Sequence, residues 1–337
     1  MAAQKDLSVY DNRLDALITL GVAGRGVEHL YRAARERQGG SLVGAAADSL
    51  SAIPAKANVF ATTGSVCRAW ISPSIGENDG PAGLAVVVRA LSIAKKALCI
   101  VFVEQTLTDS ISAVLTAAGL SVLPYDQARR ARDDGSLAVV CVEPFPVDDA
   151  SAMAASRRLL DNYKPALFFS TERVGRNADG IYCNMGGIDY GMGRARIDYL
   201  FDEAIARKIP TVAVGDGGNE IGMGVVADAV KKHVKFGDKR PDGSSGIGAV
   251  TGTDVLVTAD CSNWGCYGIT AAFAARQGAA VLLHTPALEQ ALLRRGVEVG
   301  LINSLANIVD TNVDGIPEAT HVAIVQLLST IVHPMLK

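Results

Sequence analysis

Seven short runs of apolar, largely β-branched residues recur along the chain. They are "NVFATTG" (58–64), "ALCIVFVE" (97–104), "LSVLPY" (120–125), "LAVVCVE" (137–143), "ALFFST" (166–171), "PTVAVGD" (210–216) and "DVLVTAD" (254–260). None alternates polar with apolar residues, so each reads as a strand covered on both faces, the condition of a parallel sheet between helices. Helix-like stretches lie between them, at 81–95, 108–118, 151–162, 193–207, 220–233 and 265–277. This alternation predicts a three-layer α/β/α fold with a mainly parallel, doubly wound sheet. Residues 10–53 read as a helical cap: Leu14, Leu17, Ile18, Val27, Leu30, Tyr31 and Ala34 recur at helical steps, interrupted by Gly21, Gly24 and Gly26. In the tail, Thr285-Pro286 offers a helix start, and 311–332 reads as a turn and a final amphipathic helix. With no repeat or low-complexity linker, the simplest organisation is a single α/β domain over 1–337, with an α/β core at 54–283 and C-terminal helices at 284–337.

Composition narrows the function. The formal net charge is -3 with 20% charged residues, which argues against a nucleic-acid partner. The densest basic block, Arg129 to Arg132, reads as a solvated helix face. The cysteines at 67, 99, 141, 183, 261 and 266 form no CxxC pair, and Cys99 and Cys141 sit in apolar runs, which suggests free thiols in a reducing compartment. The first residues carry charges where a signal peptide needs an apolar core. The longest apolar runs fall well short of the roughly 20 residues a membrane helix needs. The expectation is a cytoplasmic protein without membrane contact, and a homo-oligomer stays open.

The strand runs share a terminator. Glu104, Glu143, Glu172, Asp216 and Asp260 each follow one. In a parallel sheet these ends share one edge, the edge where ligands bind. Acidic residues there also cap the next helix, which is the plainer alternative. Crowded carboxylates raise one another's pKa or recruit a cation, either Mg²⁺ or a substrate ammonium.

Four loops at this edge carry the polar residues. In "GDGGNEIGMG" (215–224), Gly215, Gly217 and Gly218 allow close approach of the backbone to a ligand. Their N–H groups and the start of the next helix would form an anion-binding concavity. Asp216, Asn219 and Glu220 flank it, which suits a zwitterion or a metal-bridged ligand better than a bare phosphate; a plain strand-to-helix turn is the alternative. The pattern matches neither dinucleotide nor P-loop spacing. The loop at 62–83 offers Gly64, Ser65, Glu77 and Asp79, the last two as cation ligands or helix caps. The loop at 170–193 offers Glu172, Asn184, Arg173 and Arg176; the arginines would clamp a carboxylate or pair with local acids such as Asp179. The loop at 258–268 offers Asp260, Ser262 and Asn263, and Cys261 there has no histidine nearby in sequence to activate it. The five histidines read as structural.

In order along the chain, "GENDGPAG", "ERVGRNADGIYCNMGG", "GDGGNEIGMG" and "NVDGIPEATH" resemble the D-glutamate cyclase C-terminal domain family, over about 10 to 332. The resemblance implies a hydro-lyase that converts D-glutamate to 5-oxo-D-proline and water. In members of more than one domain, a separate N-terminal domain precedes this segment. For such a reaction, Asp216, Asp260 or Glu172 would hold and deprotonate the ammonium. Gly217 and Gly218 N–H groups, with Arg173 or Arg176, would bind the carboxylates, and Glu220 would act as acid. No cofactor is required, although Mg²⁺ is compatible. Two rival functions fit the same residues: a Mg²⁺-dependent phosphoryl-transfer or hydrolytic enzyme, and a non-catalytic acidic amino-acid binding domain. Dinucleotide oxidoreduction fits poorly, because Thr62-Thr63-Gly64-Ser65 lacks that fingerprint's spacing.

Overall fold

A computed structural model of the chain describes residues 6–336. In order its elements are α1 (Ser8–Ile18), α2 (Val27–Gln38), α3 (Leu42–Ala52), β1 (Asn58–Thr62), α4 (Pro81–Lys95), β2 (Leu98–Val103), α5 (Thr108–Ala117), β3 (Ser121–Val122), α6 (Tyr125–Asp134), β4 (Val139–Pro144), α7 (Asp149–Tyr163), β5 (Phe168–Thr171), α8 (Ile197–Ala206), β6 (Thr211–Gly215), α9 (Ala227–His233), β7 (Val255–Thr258), α10 (Ser262–Gln277), α11 (Pro286–Glu298) and α12 (Glu318–Val332).

The seven strands form one sheet in the order β3-β4-β2-β1-β5-β6-β7, parallel at every pairing. β2 and β6 are buried at every residue, which is why their runs show no polar alternation. The fold is the expected three-layer α/β/α. In one layer α10, buried from Ser262 to Ala275, is packed about by α1, α3, α4 and α12. A Cβ at Gly265 would lie 2.5 Å from Val214 Cγ1, so a glycine there lets α10 press against β6. α7 and α8 pack on each other in the other layer.

The chain runs outward from β1 to β2 and on to the edge strand β3, inserts β4 between β3 and β2, and then crosses to place β5 on the other side of β1. The switch point therefore lies between β1 and β5, and a crevice opens there beyond the carboxyl ends of the strands. Thr62 pairs with both Phe102 and Ser170, so the ends are nearly level and three loops leave from the same height.

Three expected elements differ. The 120–125 strand shrinks to two residues, because Pro124 starts α6. The helix expected over 220–233 begins only at Ala227, after a 3₁₀ turn at Met223–Val226. Gly222 has φ +101°, and a Cβ at Gly224 would lie 2.4 Å from the Val250 carbonyl oxygen, so this stretch is a tight turn and not a helix. The helix expected from 193 begins at Ile197. In the tail, Thr285 Oγ1 accepts from Leu288 N at 3.2 Å, the expected cap of α11.

Candidate active site

A cavity of about 180 Å³ opens in the crevice. Glu77 reaches it from the β1–α4 loop, Glu172 from the end of β5, Asp216 and Glu220 from the loop after β6, and Asp314 from the turn before α12. Arg25, from the turn between α1 and α2, and Arg68 are the guanidinium groups on its wall. A larger hollow of about 410 Å³, lined by Ala34, Gln38 and Asp254, sits at the amino end of β7, away from these carboxyls.

Two of the acidic residues are held in left-handed backbone: φ is +51° at Glu172 and +52° at Asp314. L-residues avoid this region at a cost of order 1–3 kcal/mol, and such positions cluster at functional sites. The neighbouring backbone is equally tight. Gly80 has φ +94°, and a Cβ there would lie 2.6 Å from Thr63 Oγ1 and 2.9 Å from Glu172 Cβ.

Arg25 Nη2 donates to Asp216 Oδ2 at 3.2 Å and to the Asp260 carbonyl at 2.7 Å, and it is ion-paired with Asp314 Oδ2 at 2.7 Å. Ser262 Oγ donates to Glu172 Oε2 at 2.6 Å. Asp79 lies just behind the wall and accepts from Gly80 N, Ser262 N and Asn263 N, so it caps α10 from a remote part of the chain. Burial dominates the electrostatics. It pushes the Glu77 carboxyl up to about 8, with Arg194 opposing and Asp314 and Asp79 adding to the rise. It pushes Asp79 up to about 7, helped by Asp314 and opposed by Arg25. Glu172 is raised well above the usual range by burial and then by Asp216 and Asp79. Asp216 is also raised by burial and by Asp314 and Asp79, against the pull of Arg25.

Several expected ligands have other duties. Arg173 is fully buried and forms a two-pronged ion pair with Glu104 (3.0 and 2.7 Å), while also donating to the Ala195 carbonyl; it is a brace beneath the crevice, not a substrate clamp. Glu104 is accordingly its counter-ion. Arg176 donates to Asp198 at 2.7 Å, pairs with Asp202 and stacks on Tyr199, outside the cavity wall. Gly217 and Gly218 do donate N–H bonds, but to Glu220 (both at 2.7 Å), with Asp216 N third at 3.2 Å. The concavity meant for a ligand anion is filled by the carboxylate of Glu220, which lines the cavity and braces its own loop. Asp260 accepts from Ala23 N at 2.9 Å and anchors the turn that carries Arg25, and it does not line the cavity. Glu143 accepts from Tyr163 Oη at 2.6 Å, on β4, two strands from the switch point.

The remaining candidates form the frame. Asn184 and Asn219 line the cavity, Asn219 tied to the Cys183 carbonyl at 2.8 Å and Asn184 accepting from Gly186 N and Ile188 N. Asn263 Oδ1 accepts from Gly80 N and Gly83 N, which fixes the loop holding Asp79. Gly64 and Ser65 lie behind Glu77: a Cβ at Gly64 would lie 2.7 Å from the Asp79 carbonyl oxygen, and Ser65 N approaches Glu77 Oε1 at 3.4 Å. Gly215 ends β6 where a Cβ would meet Met223 Cε at 2.8 Å. Cys261 is buried 3.4 Å from Asp79, and burial and that carboxyl push its thiol well up, so it is no nucleophile. No histidine lines the cavity; His321 accepts from Trp264 Nε1 at 2.8 Å and His284 pairs with Glu289, both structural.

Arg25, Asp314, Tyr190 and Arg68 line the cavity without having been singled out in the sequence. Asp314 had a signal, since it lies inside "NVDGIPEATH", and Arg25 stands between two glycines. Two carboxylate triads, Asp79–Asp216–Asp314 and Glu172–Asp216–Glu220, bring oxygens within 4.8 Å. Those oxygens are already engaged by Arg25, Ser262 or backbone N–H groups, and we assign no ion to them. No helix among the described residues is long and apolar enough to cross a membrane.

Residues 14–329 match the family model described as D-glutamate cyclase-like, C-terminal. The human protein D-glutamate cyclase, mitochondrial, is 28% identical over 236 residues, which cover 66% of this chain and 32% of that protein. The chain therefore spans about a third of the length of this curated relative.

Proposed function

The chain belongs to the D-glutamate cyclase-like, C-terminal family, and on that premise we propose that it is a lyase closing D-glutamate into 5-oxo-D-proline with loss of water. The closure joins the amine nitrogen to the γ-carboxyl carbon and breaks a carbon–oxygen bond. Two protons must pass from nitrogen to the departing oxygen. The enzyme must therefore receive protons on one side of the substrate and deliver them on the other.

One observation carries the reading: several carboxyl groups of unlike environment face a single small cavity, with one guanidinium salt-bridged to two of them. Such a set binds an ammonium and exchanges protons with it. Asp216 is the base that takes the ammonium proton. Glu77, raised to about 8, holds a proton at neutral pH and is the acid for the leaving oxygen, with Glu172 as the relay between them. Arg68, on the wall, receives a substrate carboxylate. The small volume favours a folded, ring-ready substrate.

The test is to incubate the purified chain with D- and L-glutamate and follow ring closure by mass and NMR. The expected result is turnover of D-glutamate, with D216N slower by a factor of about 10²–10⁴. Binding without turnover would make the protein an acidic amino-acid sensor, and a fully active D216N would remove the assigned base.

A further inference from the structure

The cavity has two unlike walls. On one, Arg25 Nη2 bonds Asp216 and Asp314. It arrives on a turn whose flanking residues, Gly24 and Gly26, have φ +67° and +79°, and Asp260 fixes that turn through Ala23 N. On the other wall, Glu77 is approached by Ser65 N at 3.4 Å and Glu172 by the Ser262 hydroxyl at 2.6 Å. Among the described residues neither Glu77 nor Glu172 forms an ion pair within 4 Å, whereas Asp216 and Asp314 do.

The geometry points to Arg25 as the positioning residue that divides labour among these carboxyls: with Asp314 as its nearer partner it also holds Asp216, so that Asp216 ionises while Glu77 and Glu172 carry protons. The other charged groups around Asp216 reinforce the division. Asp79 and Asp314 face it from the β1–α4 loop and the turn before α12, and Glu220 from its own loop, all disfavouring its ionised form; Arg25 is the cation opposing them. Cys261, near Arg25, is held as a thiol. Arg194, whose guanidinium stacks 3.8 Å from the Tyr190 ring centroid, is the cation that opposes the rise at Glu77, and it forms no ion pair with it within 4 Å. Apart from Glu220, whose charge is held by three backbone N–H groups, a cavity without Arg25 would have no cation in ion-pair contact to set Asp216 apart from Glu77 and Glu172.

The inference rests on the cyclase reading for its purpose, but the division of charge belongs to the substrate-free protein and is measurable there. Carbon-13 NMR of Asp and Glu carboxyls, assigned with D216N, E172Q and E77Q, gives the order of ionisation. In the wild type Asp216 is expected to ionise at lower pH than Glu172 and Glu77. In R25Q its titration moves up by about 1–3 pH units. The acidic limb of the kcat profile on D-glutamate moves with it and returns in R25K, which a loss of folding alone would not produce. Asp216 ionising after Glu77 in the wild type, or unmoved in R25Q, overturns the proposal. If R25Q does not fold, the order in the wild type decides alone. The expected titrations with no turnover in any form would sink the cyclase reading and leave the role of Arg25 standing.

Discussion

Glu77 is the residue whose behaviour is easiest to separate from its neighbours. Its carboxyl is raised from 4.5 to about 8, chiefly by burial, so its working form is lost as the pH climbs past that value. Turnover is expected to show a basic limb near pH 8, and E77Q to lower kcat by a factor of about 10² or more and to lack that limb. The same group links stability to pH. Glu77 and Asp79, which moves from 3.8 to about 7, are protonated in the folded state over a range where the unfolded chain has released its protons. The folded form binds more protons, so the contribution of these two groups to stability is full below about pH 4, declines as the pH rises, and levels off above about 8. Urea unfolding across this range should show the decline in the wild type and a shallower one in E77Q. A stability that rises between pH 5 and 8 would contradict the burial of these carboxyls.

At the scale of elements, the crevice is held open by the Glu104–Arg173 pair, which ties the end of β2 to the loop after β5 across β1. Removing one partner strands a buried charge, and E104Q is expected to lose about 3–5 kcal/mol in urea unfolding. If Arg173 instead served the substrate, E104Q would raise KM and leave stability intact. This pair also marks where sequence reasoning stops. The strands were legible because burial on both faces forces continuous apolar runs, and their acidic terminators mark the edge. The duties of the loop residues beyond those terminators were not legible. An arginine after a strand looks the same whether it meets a ligand or a glutamate 69 positions away. A glycine-rich turn likewise looks the same whether its N–H groups await an anion or already hold Glu220. The tight turn at Gly222 and Gly224 also delays the next helix to Ala227, which helical periodicity alone does not reveal.

At the scale of the molecule, the site is an assembly of distant parts. Glu172 and Asp216 come from the sheet edge and were legible there. Arg25 comes from the N-terminal helices and Asp314 from the tail, contacts no local pattern encodes. Because a guanidinium already sits among the carboxyls, we expect dialysis against a chelator to leave turnover unchanged; a rate that collapses and returns with Mg²⁺ would favour the phosphoryl-type alternative. The left-handed backbone at Glu172 carries a consequence for anyone seeking hardier forms of this protein. Glycine fits that position without resistance from the main chain. Selection on heat resistance alone would therefore drift toward it, and the step would yield a sturdier molecule that has discarded part of the proposed reactive centre.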